Sequence, residues 1–140
     1  MKNDINKINE IGQKLIDHSK GMKTIVFYSP DMDFCLSFRM LLQNTYNITT
    51  TTDTEMLMML VKSTHPDLVI ADAPPTERMQ NRFKLMRREN GHIRIMLFYA
   101  SNLVKNIQEN FRSFVDEAFS KPIDLSEVTQ RIDDLVMHTI

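Results

Sequence analysis

Apolar residues along this chain fall into short runs separated by amphipathic stretches. The clearest run, Leu68-Val69-Ile70-Ala71, has no polar residue at alternate positions, which is typical of a strand covered by helices on both faces. Comparable runs rich in β-branched and aromatic residues occur before and after it. The pattern predicts five strands, at residues 23–28, 47–51, 68–72, 93–99 and 118–120.

The stretches between these runs have the spacing of amphipathic helices. Asp53 or Thr54 is a suitable cap for one of them, and Asp124 followed by Glu127 resembles a capping box at the start of the last. The predicted helices cover residues 4–20, 33–43, 55–62, 78–88, 103–114 and 125–137. Strands separated by helices of this length require parallel crossovers, so the fold class is α/β with a doubly wound parallel sheet.

The same spacing predicts which side chains face the core. Leu41 with Leu42, and Leu85 with Met86, fall on the inward sides of their helices. Of the 11 methionines, three are grouped at positions 56, 58 and 59. Because methionine fills irregular gaps, we interpret this group as core filler, with a partner-binding patch as the second interpretation.

Chain length, charge and composition limit the number of domains, the class of partner and the cellular location that we expect. The 140 residues suffice for one domain, and we assign residues 22–140 to it and residues 1–21 to an N-terminal helical extension. A formal net charge of -1 favours neither nucleic acid nor an anionic membrane as partner. The single cysteine, Cys35, fits a reducing compartment, and the polar amino terminus does not resemble a signal peptide, so we expect a cytoplasmic protein.

Asp72 is the leading candidate for a functional residue. It ends the most buried predicted strand, and ligands of open α/β sheets bind at the carboxyl ends of the strands. A flavin or dinucleotide site would need a phosphate-binding loop after the first strand, whereas residues 29–33 carry two aspartates and a proline. We therefore expect neither an enzyme nor a bound cofactor.

Residues 23–138 resemble the receiver domain of bacterial two-component response regulators. The similarity lies in residues 46–62, in Pro66-Asp67-Leu68-Val69-Ile70-Ala71-Asp72 and in Phe119-Ser120-Lys121-Pro122. It implies a flavodoxin-like fold with strand order 2-1-3-4-5. It also implies that Asp72 is the position phosphorylated by a histidine kinase and that Lys121 contacts the phosphoryl group.

The chain departs from that family at the cation site. Receivers hold Mg²⁺ with two acidic residues at the end of the first strand, and those positions here are Tyr28 and Ser29. Since Mg²⁺ prefers an octahedral shell of oxygens that includes carboxylates, its binding is expected to be weak.

Two further departures concern the residues that respond to phosphorylation. At the fourth-strand position where the family has Ser or Thr, this chain has Tyr99. At the fifth-strand position where the family has a mobile aromatic residue, it has Ala118, so the large and small residues are exchanged. In addition, residues 73–77 contain two prolines and no glycine, which makes this loop stiff.

These differences indicate an atypical receiver, or pseudo-receiver, that acts as a signalling interaction module without a phosphorylation cycle. The alternative is a working receiver in which Asp31 or Asp33 replaces the missing acidic pair, so that Mg²⁺ is bound by Asp72 with Asp31. In either case the partner is a protein, such as a histidine kinase or an output protein. The second partner expectation is another copy of the chain, bound through residues 103–137 or through the Ile5, Ile8, Ile11 and Leu15 stripe of the predicted N-terminal helix.

Overall fold

The computed structural model describes residues 21–100 and 113–137. The predicted helix over residues 4–20, and residues 103–112 of the helix predicted over 103–114, lie outside this part of the chain. Each remaining predicted element is present, with ends shifted by at most two residues. The elements are β1 (Thr24–Tyr28), α1 (Met32–Leu42), β2 (Asn47–Thr51), α2 (Thr54–Thr64), β3 (Leu68–Asp72), α3 (Glu77–Glu89), β4 (Arg94–Ala100), β5 (Glu117–Lys121) and α4 (Leu125–Met137).

The five strands form one parallel sheet in the order β2-β1-β3-β4-β5, as the resemblance implied. β3 lies at its centre, with Val69 paired to Val26 of β1 and to Ile95 of β4. All five residues of β3 are buried, which explains why its sequence has no polar alternation. Since the strands are parallel, their carboxyl ends meet at one edge, where β3 ends in Asp72.

Two hydrophobic layers cover the sheet. Successive residues of a strand point to opposite faces, so Val26 and Tyr28 join the layer under α2 and α3, whereas Ile25 and Phe27 join the layer under α1 and α4. The second layer is aromatic at its centre, where the rings of Phe27 and Phe38 stack with centroids 4.6 Å apart.

Helix ends are fixed by local hydrogen bonds. Asp53, rather than Thr54, caps α2, because its carboxylate accepts from the amides of Glu55 and Met56. Asp31 does the same for α1, and Asp124 accepts from two amides at the start of α4. Thr76, at the end of the proline-containing loop, caps α3.

Several apolar side chains predicted to face the core lie on the surface. Leu41 and Leu85 are each 45% exposed, and Met59 is 63% exposed. Each leucine precedes a buried residue, Leu42 or Met86, and one step along a helix turns a side chain by about 100°, away from the sheet. The core-filler interpretation is also wrong for Met56, which is exposed, whereas Met58 packs partly against the core.

We expect Phe38→Ala to lower the free energy of unfolding by about 3–5 kcal/mol, because it removes a fully buried ring and leaves a cavity beside Phe27. Met59→Ala is the matched control and is expected to change it by less than about 0.5 kcal/mol, since Met59 is exposed on α2. Urea unfolding followed by circular dichroism measures both values. Equal effects of the two substitutions would contradict this account of the core.

Candidate functional site

The carboxylate of Asp72 is held by two side chains from other strands. Asp72 is 5% exposed at the end of β3. Its Oδ2 accepts a hydrogen bond of 2.7 Å from the Ser29 hydroxyl, and its Oδ1 lies 2.7 Å from the Lys121 ammonium. Both oxygens therefore have a partner, and the negative charge is balanced within the protein.

Ser29 reaches Asp72 because it directly follows β1, the strand next to β3. Its amide donates to the carbonyl of Thr51 at 3.2 Å, which extends the pairing of β1 with β2 by one residue. Its hydroxyl also accepts a bond of 3.0 Å from the Asp31 amide. The fully buried hydroxyl thus has both a donor and an acceptor as partners.

Lys121 approaches from the opposite side. It is the last residue of β5, and β4 separates this strand from β3, so the long side chain extends across the end of β4. The lysine side chain is 40% exposed, so solvent reaches this side of the ion pair. The structure therefore brings together the two residues that the resemblance implied for phosphoryl binding, Asp72 and Lys121, and adds Ser29 as a direct partner.

The two tyrosines singled out in the sequence, Tyr28 and Tyr99, lie on the face of the sheet that α2 and α3 cover. Tyr28 is buried in the layer under α2 and α3, and Tyr99 packs partly against that same layer. Burial raises the pKa of the Tyr28 phenol above its ordinary value; Arg82 opposes this shift and the charge of Asp72 adds to it. Ala118 contacts this layer too, so both residues assigned to the switch, Tyr99 and Ala118, share one face of neighbouring strands.

The residues around Asp72 do not fit a magnesium site. The carboxylate of Asp31 caps α1, where it accepts from the amides of Asp33 and Phe34 at 3.0 and 3.4 Å, and Asp33 is exposed. Within residues 21–100 and 113–137, no three Asp, Glu, His or Cys side chains are grouped so that they could hold a metal ion. Asp72 is instead joined by a hydroxyl and an ammonium, and an ammonium is not a ligand.

A largely apolar groove opens beside Asp72 and Lys121. It has a volume of about 930 Å³ and runs between α1 and the segment that joins β5 to α4. We call it the apolar groove; neither Tyr28 nor Tyr99 lines it. Its lining residues are Pro30, Asp31, Phe34, Ser37, Phe38, Met40, Leu41, Asp72, Lys121, Pro122, Ile123 and Leu125.

The sequence carries a signal that α1 has apolar surface outside the core, and one of the residues concerned, Met40, lines the apolar groove. Met32, Leu36 and Met40 recur every four residues on α1, yet the buried residues of that helix are Cys35, Phe38 and Leu42. A helix with two apolar sides has more hydrophobic surface than one core can cover.

Cys35 packs beneath the site as a small buried residue. Its thiol lies 3.4 Å from the carbonyl oxygen of Ser29 and 3.6 Å from that of Thr51. Burial raises the pKa of this thiol above its ordinary value. Cys35 is therefore a structural residue with little thiolate at neutral pH.

Comparisons with known proteins establish the fold. No protein-family model and no curated protein matches the chain. Among solved structures, a response regulator from Thermotoga maritima is 15% identical, with a TM-score of 0.72 over 83% of this chain and 98% of that one. The receiver domain of a Francisella response regulator is 18% identical, with a TM-score of 0.71 over 84% of this chain and 99% of that one.

A response regulator receiver modulated diguanylate cyclase from Pelobacter carbinolicus is also similar in structure. It is 20% identical, with a TM-score of 0.67 over 83% of this chain and 93% of that one. The chain thus has the CheY-like receiver fold, a flavodoxin-like α/β fold.

Replacing Ser29 by Ala should lower the free energy of unfolding by about 1–3 kcal/mol, because the buried Asp72 carboxylate and the Asp31 amide each lose a partner. Ser63→Ala is the control, since the Ser63 hydroxyl is exposed and bonds only to its own helix; it should change stability by less than about 0.5 kcal/mol. Chemical denaturation distinguishes these outcomes. A Ser29→Ala protein as stable as the parent would show that the hydroxyl does not hold the carboxylate.

The thiol of Cys35 should react slowly with a disulfide reagent in the folded protein at neutral pH, and rapidly after unfolding in urea. Burial blocks access, and the raised pKa keeps the group protonated. Absorbance of the released thiolate measures the rate. Fast labelling of the native protein would place Cys35 at the surface, contrary to its contacts.

Proposed function

We propose that this chain is a pseudo-receiver: a signalling module that binds other proteins, and in which Mg²⁺-dependent phosphorylation of Asp72 is lost or weakened. The observation that carries the proposal is the pairing of Asp72 with Lys121 and Ser29. Tyr28 and Ser29 occupy the positions at which receivers carry their acidic pair, and neither side chain supplies a carboxylate.

The physical argument concerns charge. Phosphoryl transfer to a carboxylate brings two anions together, and catalysis of such reactions consists mainly of positioning and charge neutralisation, commonly by a divalent cation. One lysine ammonium neutralises Asp72 alone and leaves the incoming phosphate without compensation. Ser29 adds a hydrogen bond but no charge. A site of this composition binds a dication weakly, which removes the step on which phosphorylation depends.

The switch positions support the same proposal. In receivers a small hydroxyl residue on the fourth strand leaves room for a mobile aromatic ring on the fifth. Here the large ring belongs to Tyr99 of β4, and it packs on the same face as Ala118 of β5. A conformational response needs an element with two stable arrangements, and a methyl group does not supply one.

For a receiver-like module without phosphorylation or a conformational switch, the function that we propose is protein binding. A histidine kinase or an output protein is the expected class of partner, since the structurally similar chains include response regulators. We also propose that the chain has no catalytic activity and that it is located in the cytoplasm. No helix within residues 21–100 and 113–137 has the length and apolar character needed to cross a bilayer.

A working receiver is the second candidate. It is favoured by one observation: Asp31 lines the same groove as Asp72, and its amide donates to the Ser29 hydroxyl that holds Asp72, so the residue lies near the site. To bind Mg²⁺ this side chain would have to leave the amides of Asp33 and Phe34, which would uncap α1 at a cost of about 1 kcal/mol.

Titration with beryllofluoride in the presence of millimolar Mg²⁺, followed by amide NMR, tests the proposal. The parent protein should show no saturable shifts around Asp72, because the dication finds one carboxylate and that carboxylate is already paired. Ser29→Asp restores a second carboxylate beside the first and should introduce Mg²⁺-dependent shifts at the ends of β1 and β3.

Saturable shifts centred on Asp72 in the parent protein would overturn the proposal. If these shifts disappear in Asp31→Ala and persist in Asp33→Ala, the working receiver is correct, with Asp31 as the replacement ligand. Incubation with acetyl phosphate gives a second readout, since a phosphorylated species that is lost in Asp72→Asn would identify the modified residue.

A further inference from the structure

The apolar groove has the size and the lining of a small-molecule site. Its volume of about 930 Å³ falls within the range of roughly 300–1,000 Å³ that is usual for such sites, and hydrophobic side chains form most of its lining. Met40 is 64% exposed, Leu125 50% and Leu41 45%, so a ligand in the groove would remove a large apolar surface from water.

Two parts of the fold supply the apolar walls of the groove. Phe34 and Leu41 belong to α1, and the Phe34 ring lies edge-on to that of Phe38, with centroids 5.0 Å apart. Facing them, Ile123 lies in the connection from β5 to α4, and Leu125 is the first residue of α4. A molecule between these walls would be stabilised by apolar contact on both sides.

The charged residues of the groove belong to one hydrogen-bonded network. Lys121 pairs with Oδ1 of Asp72, and the Ser29 hydroxyl joins Oδ2 of the same carboxylate to the amide of Asp31. These contacts place Asp31, Asp72 and Lys121 close together, and the rest of the lining is apolar except for Ser37. A site with this distribution selects a ligand that is polar at one end only.

Lys121 decides the chemistry of that polar end. An ammonium has three N–H donors, the ion pair with Asp72 uses one of them, and the lysine side chain is 40% exposed, so other donors can reach a ligand. Asp31 and Asp72 carry two negative charges against the single positive charge of Lys121. An anionic head group would increase this negative excess, and a cationic one would lie against the ammonium. A neutral oxygen acceptor avoids both costs.

We propose that the apolar groove binds an uncharged, mainly apolar small molecule, whose carbonyl oxygen accepts a hydrogen bond from Lys121 and whose apolar chain lies between Phe34 and Leu125. Amides, esters and ketones of this form are the expected class. The carbonyl contact leaves the ion pair with Asp72 in place. The inference adds a ligand to the proposed protein partner, and it holds whether or not Asp72 can be phosphorylated.

Three probes with the same number of carbon atoms test the ligand class: octanamide, which is neutral, octanoate, an anion, and octylamine, a cation at neutral pH. Titration of the full-length chain at low ionic strength, followed by amide NMR, gives the affinities. Octanamide should bind saturably and about fivefold more tightly than octanoate, as expected for one repulsive charge pair a few ångströms apart in water. Tighter binding of octanoate or octylamine would overturn the proposal, as would the absence of saturable octanamide binding.

The same spectra locate the bound octanamide. The amides of Leu41, Lys121 and Ile123 should shift, whereas those of Met59 and Leu85, which are exposed on α2 and α3 over the other face of the sheet, should not. Equal shifts of both groups would show unspecific association with apolar surface and would contradict a site in the groove.

Two leucines of equal exposure provide a matched pair of variants. Leu41 and Leu85 are each 45% exposed, but only Leu41 lines the groove. Leu41→Ser should weaken octanamide binding about tenfold, because it removes apolar contact with the ligand, and Leu85→Ser should leave the affinity unchanged. Equal effects of the two substitutions would overturn the proposal.

A second pair of variants tests the charge argument. Asp31→Asn keeps a side chain that caps helices well and balances the charges of the groove, so octanoate should bind about twofold more tightly and octanamide as before. Asp33→Asn is the control, since Asp33 is exposed and does not line the groove. If Asp31→Asn does not change the preference for octanamide over octanoate, the choice of a neutral ligand is wrong.

Light scattering separates a small-molecule site from an interface between copies. Octanamide should leave the mass of the full-length chain in solution unchanged. A dimer that octanamide dissociates would identify a second copy as the occupant of the groove and would overturn the proposal.

Discussion

The ion pair and hydrogen bond of the Asp72 carboxylate determine how side chains are arranged at the edge of the sheet where the candidate site lies. A buried carboxylate without partners is strongly destabilising, so the ends of the strands around it must supply charge and hydrogen bonds. Lys121 at the end of β5 provides the charge, and Ser29 after β1 provides the hydrogen bond. One buried group thus connects the ends of three strands. The cost of burying this charge is offset by the protein's own side chains, Lys121 and Ser29.

Most of the fold was predictable because its signals are local. β3 is apolar throughout because helices cover both of its faces, and this is visible in four consecutive residues. Helix starts were predictable because Asp53 and Asp124 bond amides two or three residues away. Strand order is a property of the whole sheet, and it was inferred from the resemblance to receivers, whose fold the solved structures share.

The parts of the site that periodicity missed depend on distant or directional contacts. Ser29 and Asp72 are 43 residues apart in sequence, and their hydrogen bond follows from the adjacency of β1 and β3. The exposure of Leu41 and Met59 was missed for another reason. Hydrophobic spacing shows which residues could be buried, but the area that the sheet offers decides which of them are.

The internal neutralisation of Asp72 also explains the character of the adjoining surface. An unpaired carboxylate must stay hydrated, because removing water from an uncompensated charge is costly. Here the ammonium of Lys121 satisfies the carboxylate, and apolar residues such as Phe34 and Pro122 line the same groove. A ligand of this groove would gain mainly from the removal of apolar surface from water.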